Sequence, residues 1–206
     1  MNYLSIFQQG QSYSEYRAMI DALLAERKTT GVNHSESYLK YTEMNVRRMN
    51  RLDKRPEILP EAVSALKSIE KPMLWLVITE AWCGDAAQII PIVERMANES
   101  PNVITRYILR DEHPEIMENF LTDGGKAIPI IVALDPYSGE ALGHWGPRPK
   151  EAQEMMVDWK LKGNEPYEAF SERLHSWYAK DKTVQTQVEF KESIENISRQ
   201  HTLTSA

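Results

Sequence analysis

The run "PMLWLVIT" (72–79) limits the fold more than any other stretch. It is strand-sized, apolar in succession and rich in β-formers, as expected of a strand covered on both faces. Ala86 to Asn98 follows it with helical spacing through Ile89, Ile92, Val93 and Met96. "NVITRYIL" (102–109) reads as a second strand and "HPEIMENFLT" (113–122) as a short helix, stopped at Asp123–Gly125. "IPIIVALD" (128–135) is a third strand. "PYSGE" then turns the chain into "ALGHWG" (141–146), a fourth strand paired antiparallel through that turn. Strands alternating with helices predict a layered α/β sheet.

Both ends read as helical. Ser12–Lys28 carries Tyr16, Ile20, Leu23 and Leu24 on one stripe, with Ser12 or Ser14 as its cap and Gly31 just beyond. Ser35–Leu52 and Pro60–Ile69 follow. After Lys150 the helical stretches are Glu151–Lys162, Pro166–Lys180 and Val184–Ile197, and "RQHTLTSA" (199–206) reads as a frayed tail. The organisation is a helical N-terminal extension (1–55), an α/β core (56–157) and a helical C-terminal extension (158–206). A chain of 206 residues can bury its own core, so neither a disulfide nor a metal is needed to staple it.

The start, "MNYLSIFQQGQSYSEYRAM", lacks the basic and apolar regions of a signal peptide, and no apolar run approaches the length of a membrane span. The expectation is a soluble cytoplasmic protein whose thiols stay reduced. A net charge of −6 argues against general nucleic-acid binding. The basic cluster Arg47–Arg55 reads as a solvated helix end paired with Glu43 and Asp53, the alternative being a site for an acidic partner, a phosphate or nucleic acid. The five histidines are scattered without ligand spacing, so no metal site is expected. His144 is the only one near the Cys83 segment and its groove, where it raises the idea of a Cys–His pair.

The single cysteine, Cys83, lies between the first strand and the following helix, in "ITEAWCGDAAQIIPIVERM" (78–96). A helix N-terminus there stabilises a thiolate through its free N–H groups and dipole. Asp85, two residues on, opposes it if near the sulfur, or caps the helix instead. The alternative is that Cys83 is a buried, inert small hydrophobe. Position alone leaves both readings open.

The segment resembles the active-site region of the thioredoxin superfamily, in a version close to a bacterial thioredoxin-like subgroup. The carriers are Trp82-Cys83-Gly84-Asp85-Ala86 with Pro91 five residues later, then Ile128-Pro129 at the start of a strand, then "SGEALGHWG" ending at Gly146. "WGPRP" and the long N-terminal helices add to the likeness, which runs from about Pro56 to Val157. The resemblance implies a three-layer sandwich, a central mixed sheet flanked by helices, with helical extensions at both ends.

It also implies a site. Cys83 is the nucleophile; Trp82, Gly84, Asp85, Ile128 with a cis Pro129, Gly146 and Arg148 form or rim a groove for an extended peptide. Arg148 there holds a ligand carboxylate or lowers the thiol pKa, or else is a solvated surface arginine. Two family features are missing. The resolving cysteine is replaced by Ala86, and the buried acid of the first strand aligns with Val77. An ordinary dithiol cycle is therefore disfavoured. The resemblance leans to a monothiol redox protein, a thiol–disulfide oxidoreductase that acts on protein or glutathione disulfides and needs an external resolving thiol. No metal or organic cofactor is implied; glutathione is a conceivable co-substrate, and a protein or peptide thiol or disulfide is the expected partner. The alternative is a redox-inactive binding module for a partner protein.

Overall fold

The computed structural model describes residues 2–54 and 57–204. Arg55 of the basic cluster, Pro56 at the boundary of the extension, and Ser205 and Ala206 of the tail lie outside the described residues. In chain order the elements are α1 (Leu4–Gln9), α2 (Tyr13–Ala25), α3 (Glu36–Lys54), α4 (Pro60–Lys67), β1 (Met73–Thr79), α5 (Gly84–Ala97), β2 (Val103–Leu109) and α6 (Pro114–Met117). Then come β3 (Ile130–Leu134), β4 (Ala141–Trp145), α7 (Lys150–Lys162), α8 (Tyr167–Asp181) and α9 (Val184–Thr204).

The strands form one mixed sheet in the order β2-β1-β3-β4. β1 runs parallel to β2, with Met73 opposite Val103 and Thr79 opposite Leu109. It is antiparallel to β3, and β3 to β4. Trp75, Leu76, Val77 and Ile78 are all fully buried, so helices cover both faces of the central strand as its unbroken apolar run requires. One cover is α9, whose Phe190 meets the Trp75 ring edge-on at 4.9 Å. Another is α2, whose Tyr16 stacks on Tyr107 of β2 at 5.5 Å. A single apolar core runs from Tyr3 through the sheet to Ile197 and draws on both extensions.

Helix starts follow the expected chemistry. Ser12 closes a capping box with Glu15 at the start of α2, and Pro60 opens α4. Pro91 interrupts α5, where it removes one backbone donor from the helix ladder.

Four expectations change. α6 is one short turn rather than ten residues: the Asn119 side chain turns back to the carbonyls of Glu115 and Ile116, and Phe120 leaves the helical path to pack in the core. α1 was not expected. It is anchored by Phe7 in the core, and Gln11 just after it pairs with Tyr107, which protects the open edge of β2. The tail from Arg199 does not fray: α9 continues to Thr204 because His201 is buried and its Nε2 lies 2.9 Å from Asp135 Oδ2. In the basic cluster, Asp53 pairs with Arg17 of α2 rather than with its arginine neighbours, and Arg48 is turned inward.

Candidate functional site

The site forms where β1 ends. The N-terminal extension holds the turn after it: Thr30 Oγ1, in the loop between α2 and α3, accepts from Ala81 N–H at 2.9 Å, and Asn45 Nδ2 of α3 donates to Ala81 O at 2.8 Å. The chain then turns back, with Cys83 N–H donating to Glu80 O at 3.1 Å. Cys83 becomes the N-cap of α5. Its sulfur accepts from Ala86 N–H at 3.5 Å, so the cysteine itself does the capping.

On its other side, Sγ donates its proton to Ile128 O at 3.3 Å. The Ile128–Pro129 and Gly146–Pro147 peptide bonds are both cis. Gly146 has φ +127°, and a Cβ there would stand 2.3 Å from Pro129 O, so only glycine lets the two loops meet. Cys83, Ile128–Pro129 and Gly146 are thus brought together at one corner.

Asp85 does not cap the helix. Its Oδ2 accepts from Arg148 Nε at 2.8 Å and lies 2.7 Å from Arg148 Nη2, while its Oδ1 accepts from the Tyr178 hydroxyl at 2.8 Å. Both charged side chains are only 9% exposed. Arg148 is therefore neither a solvated surface arginine nor a free ligand clamp. It is the counter-ion of Asp85, and it also donates to Gln153 Oε1 at 2.7 Å.

Tyr178 belongs to α8, in the C-terminal extension. That helix lies over the corner, with Phe170, Leu174 and His175 lining a cavity of about 180 Å3 whose floor includes Cys83 and Gly84. A Cβ on Gly84 would meet His175 Nε2 at 2.7 Å. The same ring lies 3.3 Å, at Nδ1, from Gln88 Nε2 of α5. At the other end of the cavity Trp82 is half-buried, with Tyr38 of α3 at 5.3 Å and the Arg110 guanidinium 4.8 Å above its ring.

The electrostatics follow from this closure. Cys83 is 8% exposed. Burial, reinforced by the Asp85 carboxylate, pushes its thiol pKa up to about 12, and the Ala86 N–H and Arg148 only partly offset this. Burial, with Arg48 nearby, pulls His175 down to about 4, so its imidazole is neutral at physiological pH. The expected stabilisation of a thiolate by the helix N-terminus is present, but burial outweighs it.

His144 does not join the site; it is exposed and packs edge-on to Phe120 at 5.3 Å. Val77, at the position where the resemblance expects a buried acid, is fully buried. A different buried acid, Glu80, lies at the end of β1 three residues before Cys83. Burial raises its pKa, and its Oε1 accepts from Asp111 N–H at 2.9 Å. Only its place directly after the apolar run hinted at it. Tyr178 and His175 could not be found from local pattern, because they reach the corner from a helix far along the chain.

A family model described as thioredoxin matches residues 31–162. No curated protein matches the chain. Among solved structures, an HIV epitope scaffold of the 4E10 series is similar with a TM-score of 0.61 and 16% identity, covering 95% of this chain and 99% of that one. A Pseudomonas aeruginosa protein of unknown function is similar with a TM-score of 0.58 and 18% identity, covering 95% and 98%. Likeness at that identity speaks to the fold, and here it includes the helical ends. With the matched segment spanning the corner of Cys83, Pro129 and Gly146 and most of the described core, the chain belongs to the thioredoxin family.

Proposed function

We propose that this protein is a monothiol redox protein whose nucleophile, Cys83, is stored as a protonated thiol beneath α8 and works when α8 is displaced. The observation that supports this is the position of the sulfur, at the N-cap of α5 and against Ile128 O beside Pro129. Once water reaches the corner, burial no longer raises the pKa, the Asp85 carboxylate is screened and paired with Arg148, and the α5 N-terminus favours the thiolate.

The chemistry is thiol–disulfide exchange. The Cys83 thiolate attacks one sulfur of a substrate disulfide, the S–S bond breaks, and the other sulfur leaves as a thiolate that takes up a proton. With Ala86 in place of a second thiol, an external thiolate of the glutathione class attacks the mixed disulfide and releases Cys83. Trp82, Ile128, Pro129 and Gly146 present the substrate, a peptide or glutathione disulfide. A reducing cytoplasmic setting suits the scheme.

Incubation with glutathione disulfide tests it by intact mass. Mixed disulfide should form slowly on the parent and faster on a Leu174→Ala/Tyr178→Phe chain, and not at all on Cys83→Ser. A loosened chain that forms none removes the redox role. The second reading, a redox-inactive binding module, is favoured by the thiol pushed up to about 12, and that outcome would support it.

A further inference from the structure

Beside the cavity over Cys83, and sharing Ser171 and His175 with it, lies a second cleft of about 720 Å3 between α8 and α3. That is within the range of small-molecule sites, about 300–1,000 Å3. Tyr41 and Met44 of α3 give it an apolar wall, His175 closes part of its floor, and Arg48 stands at its inner end.

Arg48 is half-buried. One of its five donors is used, Nη1 to Asn45 Oδ1 at 2.8 Å. Among the described residues it makes no ion pair. The carboxylate whose field favours its charge, Asp85, is already held by Arg148 and Tyr178. Burial and the neighbouring Arg51 act against its charge, and Asp85 and Tyr167 only partly offset them. His175, beside it, is neutral at physiological pH. The guanidinium also faces the first turn of α5: its Nη1 would lie 3.6 Å from a Cβ on Gly84. The positive end of that helix adds to the same local potential. A cation drawn from water without a counter-ion is costly, and an anion entering the cleft removes that cost.

We propose that the cleft between α3 and α8 binds a small organic monoanion with an apolar body, its carboxylate on Arg48 and its body against Tyr41 and Met44. Glu168 and Glu172 line the opposite wall and Lys40 the α3 wall, and all three are exposed. The two acids outnumber the one lysine, and the resulting negative field disfavours a second negative charge, which selects a singly charged ligand over a nucleotide or other polyphosphate. The site needs no step at Cys83, so it stands independently of the redox reading.

The test titrates the 15N-labelled full chain with phenylacetate, with its neutral amide, phenylacetamide, and with inorganic phosphate. Phenylacetate should give saturable shifts at the amides of Tyr41, Met44 and His175. Phenylacetamide, and phenylacetate on Arg48→Gln, should each bind about tenfold more weakly, the scale of one charge-assisted hydrogen bond. Phosphate should bind more weakly than phenylacetate. Should Arg48→Gln fail to fold, Glu168→Gln/Glu172→Gln decides, because removing the rim acids should tighten phenylacetate severalfold. Absence of saturable binding, equal affinity for acid and amide, undiminished binding by a folded Arg48→Gln, phosphate binding as tightly as phenylacetate, or rim variants that bind no tighter would each overturn the proposal.

Discussion

Asp85 carries a charge in a place with almost no water, and it is tolerated because Arg148 and Tyr178 hold both of its oxygens. Removing one member of such a pair strands the other. Asp85→Asn and Arg148→Met should each cost about 3 kcal/mol of stability in urea unfolding, while the double variant should cost clearly less than their sum. Asp85→Asn should also lower the Cys83 pKa, because the like charge beside the sulfur is gone. His175 gives a pH signature. Its folded pKa of about 4 lies below the ordinary 6.5, so between these values the unfolded chain binds more protons. The contribution is therefore complete above about pH 6.5 and lost as pH falls through 4, on the order of 3 kcal/mol. His175→Gln should flatten that part of the stability profile; an unchanged profile would remove His175 as its cause. Cys83 acts with the opposite sign. Its raised pKa holds a proton that the unfolded chain releases, so stability drops between about pH 9 and 12, and Cys83→Ala should remove that component.

At the scale of elements, α8 and α9 decide what the C-terminal extension does. Gly84 leaves room for the His175 ring, so Gly84→Ala should push the imidazole outward, loosen α8 and raise the hydrogen-exchange rate of its amides relative to those of β1. α9 is fixed to the sheet by His201 on Asp135. Although burial alone would raise the Asp135 pKa, N–H groups of Ser138 and Tyr137 and the His201 ring bring it down to about 2. His201→Ala should move it back towards the ordinary value in a carboxyl NMR titration. These elements also mark where sequence reading succeeds and stops. β1 is legible because "MLWLVIT" is apolar on both faces, and Cys83 at a helix start is legible from the strand before it and the stripe after it. The end of α9 reads as frayed because "RQHTLT" has little apolar surface of its own; its anchor is a partner more than sixty positions earlier. α1 is one and a half turns, too short for a period to register. The lid over the thiol depends on a hydrogen bond spanning 93 positions, Tyr178 to Asp85, and no local pattern encodes that.

The molecule as a whole couples its ends to its centre. The N-terminal extension holds the turn before Cys83 through Thr30 and Asn45, and α8 closes the corner after it through Tyr178 and His175. What remains open to solvent is the cleft between α3 and α8 rather than the sulfur itself. Reactivity at Cys83 is then a property of the closed or open molecule, not of the cysteine alone. The most direct measurement is the alkylation rate of Cys83 by iodoacetamide as a function of pH, for the parent chain and for Leu174→Ala/Tyr178→Phe, each folded by circular dichroism. The account predicts a slow parent with no inflection through pH 9, and a loosened variant at least tenfold faster whose rate levels off near or below the free-cysteine value of about 8.5. A parent chain that reacts as fast as free cysteine at pH 7, or a loosened variant as slow as the parent, would contradict it.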